Sequence, residues 1–181
     1  MKLSQGIENE HQFIRRCQQG DVQAYAMLYK QYERPLFNTA LRMSGNPQDA
    51  EDAVQIAFLK LYRSIDKFQF KSKLSTYLYR ILMNVCFDQM EKRKREMEKQ
   101  NIPTESSYSE KPDLKLHLEK AISALPEKMR ACFVLFAIED LKQEEISEIL
   151  HLKIGTVKAH IFAAKAKLRA SFFESLPGEL S

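Results

Sequence analysis

Two groups of side chains in this sequence have the types and spacing to hold nucleic acid. In the first, Phe68, Phe70, Tyr77 and Tyr79 are interleaved with Lys67, Lys71, Lys73 and Arg80. Rings offer stacking faces to unpaired bases, and nearby cations hold the backbone, which is how single strands are gripped. Any one of these rings read alone is more simply a core residue, Phe68 above all; their clustering on a connecting loop is what points to a strand. The second group runs from Ile149 through Phe173, where no Asp or Glu occurs but Lys153, Lys158, Lys165, Lys167 and Arg169 all do. A solvated helix face explains the charges but not the missing acids. A local basic surface of this kind attracts a phosphate backbone.

A third group is acidic. Asp49, Glu51, Asp52 and Gln55 form an edge at a helix start. Paired carboxylates can serve acid-base catalysis or hold a metal, but no His, Cys or nucleophile lies nearby in sequence. Favourable pairing with the helix dipole accounts for the acids simply, and a protein-contact surface is the competing functional reading. Asn84 and Asp88, one helical turn apart beside an apolar stripe, read as an internal hydrogen bond. There is no Gly-rich phosphate loop and no candidate triad, so no catalytic activity and no cofactor are expected. Cys17, Cys86 and Cys132 are far apart and form no metal-ligand spacing, so no metal site is expected either. Cys86 and Cys132 sit in apolar runs and read as small core residues.

The elements that must position these groups are helical almost throughout; no period-two strand and no internal repeat is evident. Asp21 can cap a helix carrying Ala24, Leu28, Tyr32 and Leu36 on one face. Pro35 should kink or divide it, and Gly45 should end it. Asn46 followed by Pro47 is a start signal, and Ala50, Val54, Ala57, Phe58, Leu61 and Ile65 make the next buried stripe. A connection from Asp66 to Leu74 leads to a cap at Ser75 or Thr76, then to a helix with Leu78, Ile81, Leu82, Val85 and Cys86 inward. That stripe fades from Glu91 to Lys99.

A linker is assigned to 98–113, where the sequence turns polar, carries Pro103 and Pro112 and loses periodicity. Such a stretch spans on the order of 20 Å on average, and about twice that when extended. The fold class is therefore all-α: a helical module over 11–97 and a second over 114–174, each expected to close its own small core. The whole is 181 residues with a net charge of +4, too mildly basic for the total alone to claim nucleic acid. The polar start shows no signal-peptide core and no apolar stretch is long enough to span a bilayer, so a soluble cytoplasmic protein without membrane insertion is expected.

Within the second module, Gln143 to Leu150 reads as a short helix, His151 to Lys153 as a turn, and Ile154 to Arg169 as a longer basic helix. That is the layout of a helix-turn-helix, whose second helix enters the DNA major groove. Ile154, Val157, Ile161, Ala164 and Leu168 should face inward against Ile146, Ile149 and Leu150. Gly155, Thr156, Lys158, Ala159, His160 and Ala163 are left facing out. Lys158 can reach a phosphate; Thr156 and His160 can reach a phosphate or a base edge.

Taken in order, these residues resemble the sigma-70 family of bacterial transcription initiation factors, in its small extracytoplasmic-function (ECF) group. The first module is similar through Asp21, Ala24, Leu28, Tyr29 and Tyr32; through Asp49 to Asp52, Gln55, Phe58, Leu61 and Tyr62; and through Phe68, Leu74 to Ile81, Asn84, Asp88 and Lys92 to Arg95. The second is similar through Leu125 to Lys128, Arg130, Glu144 to Ile146, Ile149, Leu150 and Gly155 to Lys158. Larger members place a further helical domain between the modules, which 100–113 cannot contain.

The resemblance implies that Asp49, Glu51, Asp52 and Gln55 dock on core RNA polymerase, at the coiled coil of the β′ subunit, with the β subunit as a further contact. It implies that Lys67, Gln69, Phe70, Lys71, Ser72, Lys73, Tyr77 and Arg80 recognise the minus-ten element and capture a flipped base. It implies that Lys153, Gly155, Thr156, Lys158, Ala159, His160, Ala163 and Lys165 read the minus-thirty-five element. The linker, with Glu105, Glu110 and Asp113, would thread toward the RNA exit path, and an anti-sigma factor is an expected partner; no small-molecule substrate is. The family pattern usually has a small residue at 151, Ser at 153, Arg at 160 and 163 and Trp at 77; here these are His151, Lys153, His160, Ala163 and Tyr77. Two other readings stand beside this one: a free-standing helix-turn-helix regulator of duplex DNA, and a helical adaptor whose basic helix binds an acidic protein. The aromatic-basic loop favours the first, because a duplex binder has no need of unpaired bases.

Overall fold

The computed structural model describes residues 10–100 and 114–174; the linker residues Glu105, Glu110 and Asp113 lie outside them. The order is α1 (Glu10–Gln18), α2 (Val22–Ser44), α3 (Pro47–Ser64), a 3-10 turn (Ile65–Lys67), α4 (Leu74–Gln100), α5 (Leu114–Ser123), α6 (Glu127–Ala137), α7 (Gln143–Leu150) and α8 (Ile154–Glu174). No strand occurs among the described residues. The α4 helix extends to Gln100, three residues into the segment assigned to the linker.

Local chemistry sets the first three boundaries. Asp21 accepts from the backbone of Gln23 and Ala24 at 2.9 and 3.0 Å, satisfying donors that the first turn leaves free. Gly45 closes α2 at φ 70, a conformation that costs glycine little. Asn46 caps α3 by accepting from Gln48 and Asp49. Pro35 does not divide α2, which runs unbroken past it. A mid-helix proline costs roughly 3 kcal/mol, and the fully buried Leu28, Leu36 and Ala40 on either side hold the helix together.

Each module was expected to close its own core; the structure has one core running through both. The main buried cluster joins Leu28, Leu36, Ala40, Leu61, Leu78 and Leu82 to Ala131, Cys132, Leu135, Ile146 and Ile149, with Val157 and Ile161 beyond. A small second cluster of Ile122, Leu125, Val134, Ala164 and Leu168 holds α5, α6 and α8 together. The physical reason is that each module leaves an apolar helix face for the other to cover: α6 packs on α2 and α7 on α4.

Polar contacts seal the junction. Arg130 Nη1 donates to Met43 O at 2.6 Å, and Arg42 Nη2 pairs with Glu119 at 3.1 Å. Glu139 accepts from the hydroxyls of Thr39 at 2.7 Å and Tyr79 at 2.5 Å, both fully buried. Burial, with the Glu139 carboxylate beside it, pushes the Tyr79 hydroxyl well above the ordinary tyrosine value, so it stays protonated and donates.

All three cysteines are buried and free. Burial raises the Cys86 thiol to about 12 and Cys132 to about 11, so neither supplies a thiolate nucleophile.

Candidate nucleic-acid interface

The aromatic-basic loop is built on a ring cluster. Phe68 is buried and forms its hub: Phe70 lies 5.3 Å away edge-on and Tyr77 lies 5.2 Å away. The Arg80 guanidinium sits over the Tyr77 ring at 5.3 Å, a cation-π contact, and the Tyr77 hydroxyl donates to Ser64 Oγ at 2.9 Å. Around this hub Lys67, Gln69, Lys71 and Lys73 are exposed, while Phe70, Ser72, Tyr77 and Arg80 are half-buried. Tyr79 does not belong to the surface. It faces the core and Glu139, because it follows Leu78 on the inward side of α4.

Two further features depart from expectation. The α4 helix starts at Leu74 and is not capped by Ser75 or Thr76; instead Glu10 Oε1 of α1 accepts from the Leu74 N–H at 2.9 Å. At the other end of α1, Gln18 Nε2 donates to Ile65 O at 2.9 Å and Phe68 O at 3.1 Å. This helix, which sequence reasoning missed, therefore braces the loop at both ends, and its His11 ring stacks on Phe70. The helical spacing of Phe13, Ile14 and Cys17, its buried face, is the local signal for the helix; its contacts with a loop some fifty or more residues away have none.

Lys73 is engaged across the modules, at 2.7 Å from Glu145 of α7. That hydrogen bond raises the Lys73 ammonium. Burial pushes Glu145 up, but the bonds from Lys73 and the Lys142 backbone outweigh it and leave the carboxyl lowered. Lys73 is mostly exposed, so the pair contributes about 0–1 kcal/mol.

On the acidic edge Glu51, Asp52 and Gln55 face solvent, while Asp49 is half-buried and pairs with Arg93 Nη1 of α4 at 2.8 Å. Glu51 and Gln55 also line an open cavity of about 400 Å³ with Tyr29, Glu33, Arg34, Phe37 and Val54. Asn84 and Asp88 are exposed rather than joined inside, and Asp88 faces Lys60 at 4.0 Å; they fall on the outer side of α4, away from Leu82 and Val85.

The helix-turn-helix is formed by α7, the turn and α8. His151 adopts φ 51 and ψ 41, the left-handed conformation that the turn requires. Leu152 N donates to Ser147 O at 3.2 Å, and Ser147 Oγ donates back to Leu152 O at 2.6 Å. The Lys153 carbonyl accepts from Thr156 and Val157, starting α8 through the backbone alone.

Val157, Ile161, Ala164 and Leu168 face inward as expected, but Ile154, at the first position of α8, is 39% exposed. Lys153, Gly155, Thr156, Lys158 and Ala159 are exposed, and His160 and Ala163 are half-buried. Lys165 is exposed with its ammonium 4.7 Å from the Phe136 ring centroid. Phe162, 78% exposed on the same helix, was not singled out by sequence.

Since a left-handed histidine is strained relative to glycine, His151→Gly is expected to stabilise the protein by about 1 kcal/mol, raising Tm by roughly 2–4 °C. An unchanged thermal melt would mean that the His151 ring makes compensating contacts.

Among the described residues no cluster of His, Cys, Asp or Glu could hold a metal ion, and no helix is long and apolar enough to cross a membrane.

The geometry thus presents an acidic helix edge, a braced aromatic-basic loop and a helix-turn-helix, in that order along the chain. The family model of Sigma-70 region 2 matches residues 28–96, and that of Sigma-70, region 4 matches residues 115–168. The ECF RNA polymerase sigma factor SigW of Bacillus subtilis is 33% identical over 173 residues, covering 86% of this chain and 92% of that protein. The chain belongs to the sigma-70 family, in its ECF group.

Other relatives agree with this sigma-70 assignment. The RNA polymerase sigma-H factor of Pseudomonas aeruginosa is 27% identical, covering 87% of this chain and 91% of its own. A co-crystal structure of the sigma factor RpoE with the anti-sigma factor NepR from Bartonella quintana has a TM-score of 0.73 at 26% identity, covering 86% of this chain and 100% of that one. CnrH, solved with the cytosolic domain of CnrY, shares the fold at a TM-score of 0.72 and 22% identity, covering 92% of this chain and 99% of its own.

Proposed function

We propose that this sigma-70 family protein binds bacterial core RNA polymerase, directs it to a set of promoters and helps open the DNA, while the polymerase supplies all the chemistry. The observation that carries the proposal is the pairing in one chain of an aromatic-basic loop with a helix-turn-helix. The module over 11–97 takes the minus-ten element and the polymerase; 98–113 links it to the module over 114–174, which takes the minus-thirty-five element.

Glu51, Asp52 and Gln55 meet the β′ coiled coil directly. Asp49, held by Arg93, shapes that edge. Lys67, Gln69, Phe70, Lys71, Ser72, Tyr77 and Arg80 hold the opened strand, joined by Lys73 once Glu145 releases it. Lys153, Gly155, Thr156, Lys158, Ala159, His160, Ala163 and Lys165 face the major groove. An anti-sigma factor is the regulatory partner, supported by the complex in which the RpoE relative was solved, and the site of action is the cytoplasm.

The two promoter elements lie about 25 base pairs apart, or roughly 85 Å along B-DNA. A compact chain of this size has a radius of gyration of about 16 Å. Reading both elements at once therefore requires α6 and α7 to part from α2 and α4.

The direct test is run-off transcription by bacterial core polymerase on fragments of the source genome, with and without the protein. Promoter-specific transcripts dependent on the protein are expected. Their absence, with no co-elution with core polymerase, would leave a free-standing DNA-binding regulator. A second expectation concerns α8. Lys158→Ala with Lys165→Ala should weaken duplex binding and reduce the salt slope by about 1–2 in log–log units, since each phosphate contact contributes about 0.9. Lys158 should account for most of the change, because Lys165 is partly engaged with Phe136. An unchanged slope would rule against α8 as the DNA reader.

A further inference from the structure

We propose that His11 occupies, in the free protein, the seat on Phe70 that an unpaired DNA base takes on binding. The inference rests on the reading of the 66–77 loop as a single-strand grip, and adds to it a residue from a helix outside that loop. The His11 imidazole lies over the Phe70 ring with centroids 4.5 Å apart and planes within 7°. That is the parallel arrangement a base adopts on an aromatic side chain. His11 is exposed on the first turn of α1, so burial does not explain where its ring goes.

The seat is built, not incidental. Phe70 stands at φ 58, a left-handed backbone that is rare for a bulky side chain and persists only where surrounding contacts enforce it. Those contacts come from α1: Gln18 holds the carbonyls of Ile65 and Phe68, and Glu10 holds the N–H of Leu74. Phe68 lies against Phe70 at 66°, closing another approach to the ring and leaving His11 on the stacking face. Lys67 and Lys71 are exposed on the same loop, where they can take the phosphates flanking a stacked base. Base capture is then an exchange of one stack for another, with His11 swinging out to solvent. The placeholder keeps an apolar ring covered and sets a threshold that an incoming base must exceed.

The test is fluorescence anisotropy of a labelled single-stranded DNA 12-mer of random sequence, titrated with the full-length protein; stacking tolerates any base, so a pool suffices. His11→Ala uncovers the seat and is expected to bind about three- to tenfold more tightly than the parent. His11→Trp, a larger stacking partner, is expected to bind more weakly, a result that mere loosening of α1 would not produce together with the first. If Phe70→Ala weakens binding while His11→Ala is unchanged or weaker, the placeholder is wrong and the loop reading survives. If Phe70→Ala binds as the parent does, the loop is not a single-strand grip and both fall.

Discussion

Promoter opening by the Phe70→Ala, Lys71→Ala double variant is expected to fall by about ten- to a hundredfold, with retention on core polymerase within about twofold of the parent. Base stacking on an aromatic side chain is worth about 1–3 kcal/mol by alanine substitution, and each 1.4 kcal/mol is a factor of ten. Lys71 adds a phosphate contact from an exposed position. The selectivity follows from placement along α3. The acidic edge stands at its N-terminal end and the loop follows its C-terminal end, roughly 25 Å away at 1.5 Å per residue. Loss of the ring therefore leaves the acidic edge, proposed to meet the polymerase, intact. Permanganate footprinting reads the unpaired thymines directly, and normal melting in this variant would sink the role given to the loop. Circular dichroism controls for folding, because Phe70 is half-buried against the core.

The parts of this molecule legible in its sequence are those decided within a few residues. Asp21, Gly45 and the Asn46–Pro47 pair mark helix ends through their own side chains or backbone, and each does so in the structure. The α8 stripe was legible because Val157, Ile161, Ala164 and Leu168 repeat with the helix itself. Illegible features depend on partners distant in sequence. Nothing near Leu74 reveals that Glu10 replaces Ser75 or Thr76 as its cap. Tyr79 looked like a surface ring beside Tyr77, yet two residues along a helix turn the side chain by about 200° and put it in the core. His11 and Arg93 enter the functional surfaces only because folding brings α1 and α4 to them. The shared core escaped for the same reason: Cys132 reads as a small core residue, but not as one that, with Ala131 and Leu135, faces the other module.

That shared core gives the second large effect, centred on Glu139. Its carboxylate is the acceptor for two hydroxyls that have no exposure, Thr39 on α2 and Tyr79 on α4. Glu139→Ala strands both donors. A buried polar group left without its partner costs about 1–3 kcal/mol, so the variant should lose about 2–5 kcal/mol and melt roughly 5–15 °C lower. Removing the donors as well, by Thr39→Val and Tyr79→Phe, should recover most of that loss, since apolar replacement of a whole hydrogen-bonded set is nearly neutral. A Glu139→Ala melt equal to the parent's would mean that water reaches the junction and the carboxylate does not seal it. The functional consequence runs through the same contacts. Parting α6 and α7 from α2 and α4 breaks the bonds to Glu139 and the Lys73–Glu145 pair together. Under the proposed function, the motion that parts the two modules therefore also frees Lys73 at the loop. Glu139→Ala, by weakening the closed state, should therefore expand the free protein in small-angle scattering.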